Sequence, residues 1–204
     1  MSDNIRPIDD HYRSPPETFR ALASVESFRQ HGSKVYYPVT GQTDFLRLKE
    51  LWKPNLVSNP PYGRLHGQRV GKARAATTII RHGIDLLAQA GPSGGKLCCL
   101  LDLRYLLSED RNLDQGLFTE FPPARVHAFL DRITMYPAAF EGSTTRGKQS
   151  FAWFVWEWPF IRPGHIPPVT SRLHGKAFRQ PSDVTRFDLS EIVSSKQEIA
   201  EAAE

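Results

Sequence analysis

The chain has 204 residues, 40% of them apolar and 24% charged, which is the usage of an ordinary globular domain of modest size. No apolar run approaches the ~20 residues of a membrane span, and Met1-Ser2-Asp3-Asn4 has neither the basic start nor the apolar core of a signal peptide, so a cytoplasmic protein without a membrane partner is expected. The net charge of +4 is uneven, with −4 on residues 183–204 and +8 on residues 1–182, and a basic body of this kind suits a polyanion such as DNA.

Residues 1–10 are polar and loose. Ser14-Pro15-Pro16-Glu17 then reads as a helix start, with Ser14 as the cap, Pro15 in the first turn and Glu17 three residues beyond the cap. Phe19, Leu22 and Ala23 continue with helical spacing to about Phe28. Residues 34–39 form a short strand, and Asp44 can cap a short helix over 45–52.

Leu56-Val57 is an apolar strand end that runs into Ser58-Asn59-Pro60-Pro61-Tyr62-Gly63. Two consecutive prolines remove two backbone donors and fix two φ angles, so the chain leaves the strand in a rigid extended turn. Asn59 is thereby held at a strand's carboxyl end, where open α/β sheets bind their ligands. Its side-chain carbonyl and the main-chain carbonyl of Pro60 are two acceptors that can grip one planar NH2 group and orient its lone pair toward an electrophilic carbon. Tyr62 can stack on the ring that bears the amine. An ordinary Pro-rich turn is the other reading of the same residues.

Residues 68–90 carry the longest helical pattern, with Ala73, Ala76, Ile80, Ile84 and Leu87 on one stripe, and the Gly and Pro of 91–95 end it. Residues 96–103 are a continuous apolar strand of the kind buried on both faces of a parallel sheet, which places Cys98 and Cys99 in the core as reduced thiols. This order is βαβ grammar. A turn and strand at 121–129 and a loop at 131–137 near the active face follow, and residues 104–107 resemble the post-strand helix of the family named below. Residues 144–149 form a polar, basic loop suited to phosphate contact or to solvent. The aromatic run Phe151-Ala152-Trp153-Phe154-Val155-Trp156 reads as a late strand buried inside the sheet. Residues 157–182 read as an irregular arm and 183–204 as an acidic tail. His165 and His174 lack a partner at ligand spacing, so no metal site is expected.

Ser58-Asn59-Pro60-Pro61-Tyr62 resembles the catalytic motif of amino-methyltransferases that use S-adenosylmethionine, above all the DNA adenine-N6 methyltransferases. The aromatic strand, with Thr134-Met135-Tyr136-Pro137 before it, is similar to phage and bacterial members of that group. The match runs from about Tyr12 to Trp158. It implies a methyltransferase-like domain over 1–158 with a Rossmann-like three-layer α/β sheet, and an arm with the acidic tail over 159–204. By the same resemblance Asn59, Pro60, Pro61 and Tyr62 are catalytic, while Tyr12, Ser14, Asp44 and Phe45 face the cofactor. A flipped-out adenine is implied as substrate, because its amine is unreachable inside a stacked duplex.

The pattern has one gap. Between Glu26 and Gly32 there is no room for the strand, Gly-rich turn and helix that the family places there, which need about thirty residues. The strand at 34–39 resembles the family's second one, yet Tyr37 and Pro38 stand where an acid for the cofactor ribose is usual. A sheet short of its first, central strand and weak cofactor binding are therefore expected. Two other readings stay open: a non-catalytic nucleic-acid-binding remnant, which the gap favours, and a protein-glutamine methyltransferase, which carries a similar Asn-Pro-Pro-Tyr.

Overall fold

The computed structural model describes residues 12–28, 35–36, 45–50, 55–60, 64–65, 68–69, 72–93, 95–107, 116–137, 149–160 and 169–180. They form a mixed α/β architecture around a six-stranded sheet. Its strands, in chain order, are β2 (Val35–Tyr36), β3 (Asn55–Ser58), β6 (Lys96–Asp102), β7 (Arg125–Phe129), β9 (Phe151–Glu157) and β10 (Val169–Leu173). Two further strand pairs, β1 (Tyr12–Arg13) with β8 (Tyr136–Pro137) and β4 (Arg64–Leu65) with β5 (Gln68–Arg69), lie outside it. Across the large sheet the order is β10-β7-β9-β6-β3-β2. Every neighbouring pair is parallel except the two made by β9, which runs antiparallel to both β6 and β7.

Helices cover both faces. On one, α1 (Pro16–Val25) packs Phe19, Ala21 and Leu22 against Val57, Cys98, Leu100, Trp153 and Val155. On the other, α2 (Lys72–Ala90) and the short α3 (Leu117–Glu120) cover Leu56, Leu97, Cys99, Leu101, Phe154 and Trp156. Successive strand residues thus alternate between two apolar layers, which is why β6 and β9 read as unbroken hydrophobic runs. Burial pushes the thiols of Cys98 and Cys99 up, so both are packing groups. The two large indoles are fully buried, and each finds an acceptor: Trp153 Nε1 donates to the Thr18 carbonyl at 3.0 Å and Trp156 Nε1 to that of Phe121 at 2.8 Å. Between β3 and β6, α2 makes the crossover that parallel neighbours need. It approaches closely because Gly83 faces Leu97, where a Cβ would lie 3.1 Å from a Leu97 methyl.

Three expectations are corrected. Ser14 does not cap α1; Pro15 occupies the cap position without a side-chain hydrogen bond, and Thr18 instead returns its hydroxyl to the Pro15 carbonyl at 2.7 Å. The helix expected from residue 68 begins at Lys72, because Gln68–Arg69 is taken up by pairing with Arg64–Leu65. Val169–Leu173, inside the stretch read as an irregular arm, pairs in parallel along all of β7, and the chain then turns back over α1. There Arg179 pairs with Glu17 at 3.0 Å and Arg20 Nε donates to the Phe178 carbonyl at 2.7 Å. Val35–Tyr36 pairs directly with Asn55–Leu56, so β3 has a parallel neighbour on that flank as well.

The end of α1 is held by a buried ionic cluster. Glu26 follows the helix, with its side chain only 2% exposed, and receives Lys96 Nζ at 2.6 Å, His127 Nε2 at 2.8 Å and both Nε and a terminal nitrogen of Arg125. Arg125 also pairs with Glu157. Burial alone would push the Glu26 carboxyl up, but hydrogen bonds from His127, Arg125 and Lys96 outweigh it and hold the group at about 2. Because Glu26 is ionised, His127 Nε2 carries a proton toward it, and in the neutral ring the Ser171 hydroxyl donates to Nδ1 at 2.6 Å.

Removing one member of such a cluster leaves the others buried without a counter-charge, so Glu26→Gln should cost about 3–5 kcal/mol in urea unfolding at neutral pH. The folded-state pKa is depressed, from 4.5 to about 2, so this stabilisation is complete above about pH 4.5 and is lost as pH falls toward 2. Stability measured across that window should fall by about 3 kcal/mol more in the native chain than in Glu26→Gln. Parallel pH profiles for the two proteins would contradict the assignment.

Candidate functional site

Asn59 stands one residue beyond β3, at the carboxyl edge of the parallel strands, where the prolines end the ladder. It is half-buried, and Pro60 is buried. The amide nitrogen Nδ2 donates to the Met135 sulfur at 3.9 Å, a weak contact that orients the group and makes Oδ1 the acceptor end. Ser58 beneath it is buried, and at the other end of the strand Asn55 Oδ1 accepts from the Lys96 amide at 3.1 Å, tying β3 to the start of β6.

Met135 links this turn to the N-terminal segment. The next residues, Tyr136–Pro137, pair antiparallel with Tyr12–Arg13, setting Arg13 opposite Tyr136 and Tyr12 opposite Pro137. Ser14 follows at once and leads into α1. Segments around residues 12–14, 59–60 and 135–137 therefore meet at one edge of the sheet, although up to about 120 residues separate them in the chain. Ser14 is 4% exposed, and its hydroxyl oxygen has no hydrogen-bond partner among the described residues. A buried hydroxyl left so, one residue before the positive end of a helix, matches an anionic or hydrogen-bonding ligand group.

Of the remaining expected residues, only Phe45 is among those described. Phe45 is buried in the apolar layer under α2, edge-on to His82 with ring centroids 5.2 Å apart, and so lies on the opposite face of the sheet from α1. Asp44, Pro61, Tyr62 and the basic loop at 144–148 lie outside the described residues. Among the described residues no group of three or more His, Cys, Asp or Glu is placed to hold a metal ion, and no helix is long and apolar enough to cross a membrane.

One charged pair at this edge escaped the sequence reading. Asp102 closes β6, the strand beside β3, and takes the Arg104 guanidinium in two parallel bonds, Nε to Oδ1 at 3.0 Å and a terminal nitrogen to Oδ2 at 2.6 Å. Arg104 is largely exposed, and the Asp102 carboxylate raises its pKa further. The signal was present as a lone Asp ending an apolar strand, but that this strand lies beside β3 is a property of strand order.

The unpartnered hydroxyl makes a direct prediction. Ser14→Ala removes a buried polar group that gains nothing from folding, so the ligand-free protein should be stabilised by about 1 kcal/mol in urea unfolding. A loss of stability would show that the hydroxyl has a structural partner.

No protein-family model, curated protein or solved structure matches this chain, so its reading rests on the residues and geometry above.

Proposed function

We propose that the chain is an amino-methyltransferase-type protein of the DNA adenine-N6 class, with a sheet of the methyltransferase type. The observation that carries the reading is the convergence of the Asn59-Pro60 turn and the Tyr12–Ser14 segment at one carboxyl edge, through Met135 and the β1–β8 pair. Asn59 Oδ1 and the Pro60 carbonyl accept the two protons of an exocyclic amine and hold its lone pair directed outward. Tyr62 stacks on the extruded base. As the nitrogen attacks, positive charge develops on it, and the two oxygens offset that charge until a proton leaves to water.

S-adenosylmethionine is the donor this reading implies, and when bound it supplies an electrophilic methyl group. The residues fit one end of it: the orphaned Ser14 hydroxyl and the N-terminus of α1 would hold its amino-acid moiety. For the nucleoside end the sequence has no Gly-rich turn and no acid at 37–38. The same absence favours a second reading, a nucleic-acid-binding protein without methyl transfer.

Each missing ribose hydrogen bond is worth on the order of 1–3 kcal/mol, roughly ten- to a hundredfold in affinity. Calorimetry on the isolated chain should therefore show cofactor binding weaker than micromolar, and micromolar affinity would mean that another segment serves the nucleoside end. Tyr62→Ala should weaken binding to DNA with an unpaired adenine by about 1–3 kcal/mol, and binding to fully paired DNA much less. Equal losses on both substrates would remove the stacking role. Methyl transfer to adenine N6, followed with labelled donor at saturating concentration, separates the two readings.

A further inference from the structure

Ser171, His127 and Glu26 stand in one hydrogen-bonded line. β10 and β7 pair in parallel with Ser171 beside His127, so both side chains rise on the face that α1 covers. In the neutral ring the Ser171 hydroxyl donates to His127 Nδ1 at 2.6 Å, and His127 Nε2 donates to Glu26 Oε1 at 2.8 Å. A hydroxyl, a base and an acid that orients the base thus follow one another within hydrogen-bond reach, the arrangement that activates a serine. The ring is turned relative to the serine proteases, where Nε2 takes the proton, but either nitrogen of a neutral imidazole can act as the base. Lys96 and Arg125 are balanced by Glu26 and Glu157, so a proton arriving on the ring meets no net positive charge. Burial is graded along the line: Glu26 and His127 are buried, whereas Ser171 is half-exposed on the outermost strand of the described sheet.

We propose that Ser171 is a nucleophile toward the carbonyl of small apolar esters, with His127 as its general base and Glu26 as the residue that positions the ring. The Val169 amide donates to the Ala124 carbonyl at 3.1 Å, and the Leu173 carbonyl accepts from the Leu130 amide at 2.9 Å. These bonds set the phase of β10: residues 169, 171 and 173 turn toward β7, and the Arg172 amide faces the outer edge, without a partner among the described residues. The amide after a nucleophilic serine is one that α/β-hydrolases use to hold the oxyanion. Val169, on the same face two residues before Ser171, is 63% exposed, and Val25, next to Glu26 in the chain, is 43% exposed, so apolar surface for an acyl chain adjoins the line. In the reaction Ser171 Oγ bonds to the carbonyl carbon as its proton passes to Nδ1. The bond from that carbon to the leaving alcohol then breaks as Nδ1 returns the proton to the alcohol oxygen, and water repeats both steps on the acyl-serine to release the acid. This site is separate from the Asn59 turn and does not depend on the methyltransferase reading.

The test uses the full chain and a fluorophosphonate, which forms a phosphorus–oxygen bond to an activated serine and expels fluoride. Intact mass and peptide mapping should show one adduct, on Ser171, and none on Ser171→Ala or on the heat-unfolded native chain. Turnover of p-nitrophenyl butyrate should fall at least about tenfold in Ser171→Ala, within the usual worth of a nucleophile and its base. A second arm compares Ser171→Cys with Thr170→Cys, exposed on the other face of the same strand, by their rates of alkylation with iodoacetamide at about pH 6. Cys98 and Cys99 are fully buried with their thiols pushed up, so they stay silent. An ordinary thiol is about 0.3% thiolate at that pH, whereas one that gives its proton to a histidine is ionised to a far greater extent. Allowing for the weaker nucleophilicity of such a thiolate, Ser171→Cys should react about tenfold faster than Thr170→Cys, and the gain should vanish in Ser171→Cys/His127→Gln. No adduct on the native chain, butyrate turnover unchanged in Ser171→Ala, or equal alkylation of the two cysteine variants would overturn the proposal and leave the Ser171–His127 bond as a tie between β10 and β7.

Discussion

The Glu26 carboxylate is the point on which the arrangement of this protein turns. Buried anions are tolerated only when charge and hydrogen bonds replace the lost water, and here Lys96, Arg125 and His127 supply both. Those three residues belong to β6 and β7, whereas Glu26 ends α1, so one side chain fixes the helix against two strands. Across the sheet Arg125 continues to Glu157 at the end of β9. A hydrophobic layer alone is non-directional and would let α1 slide or rotate over the sheet.

Fixing one end of a helix fixes the other. With ten residues and about 1.5 Å of rise each, α1 is about 15 Å long, comparable to the strands beneath it. Its carboxyl end lies at the start of β6, while Thr18, in its first turn, receives Trp153, which stands opposite Leu100 near the end of that strand. The helix thus runs against the parallel strands, and its N-terminal segment is delivered to the edge where β3 releases Asn59. The Glu26 cluster sits at one edge, and Ser14 and the Asn59 turn at the other. This separation lets the Ser14 hydroxyl go without a hydrogen-bond partner among the described residues without loosening the sheet.

β9 gives the sheet its second constraint. Inserted antiparallel between β6 and β7, it places Trp153 and Trp156 in opposite apolar layers and lets each indole bond to a carbonyl of a different covering segment. An aromatic strand at an edge would expose rings and unpaired backbone together. In the interior it contributes buried rings to both cores. The strands beyond it, β7 and β10, carry the polar members of the ionic cluster, His127 and Ser171, at paired positions.

Much of this was written locally. The apolar runs at Leu97–Leu101 and Phe151–Trp156 are strands buried on both faces because no alternation with polar residues interrupts them, and β3 ends before Asn59-Pro60 because proline cannot continue a strand. The stripe of Ala76, Ile80, Ile84 and Leu87 marks α2 for the same short-range reason. Other features depend on partners distant in the chain. Ser14 looked like a cap, but Pro15 took that position, and the hydroxyl's surroundings come from the folded neighbourhood. Val169–Leu173, with Val169, Thr170 and Arg172 exposed, has no periodic signal, and only pairing along β7 makes it a strand. The role of Glu26 was invisible because its three donors lie 70 to 101 residues away. Local pattern sets which segments extend or coil; which of them meet is decided by packing and by the need of each buried charge for a partner, and those are properties of the whole fold.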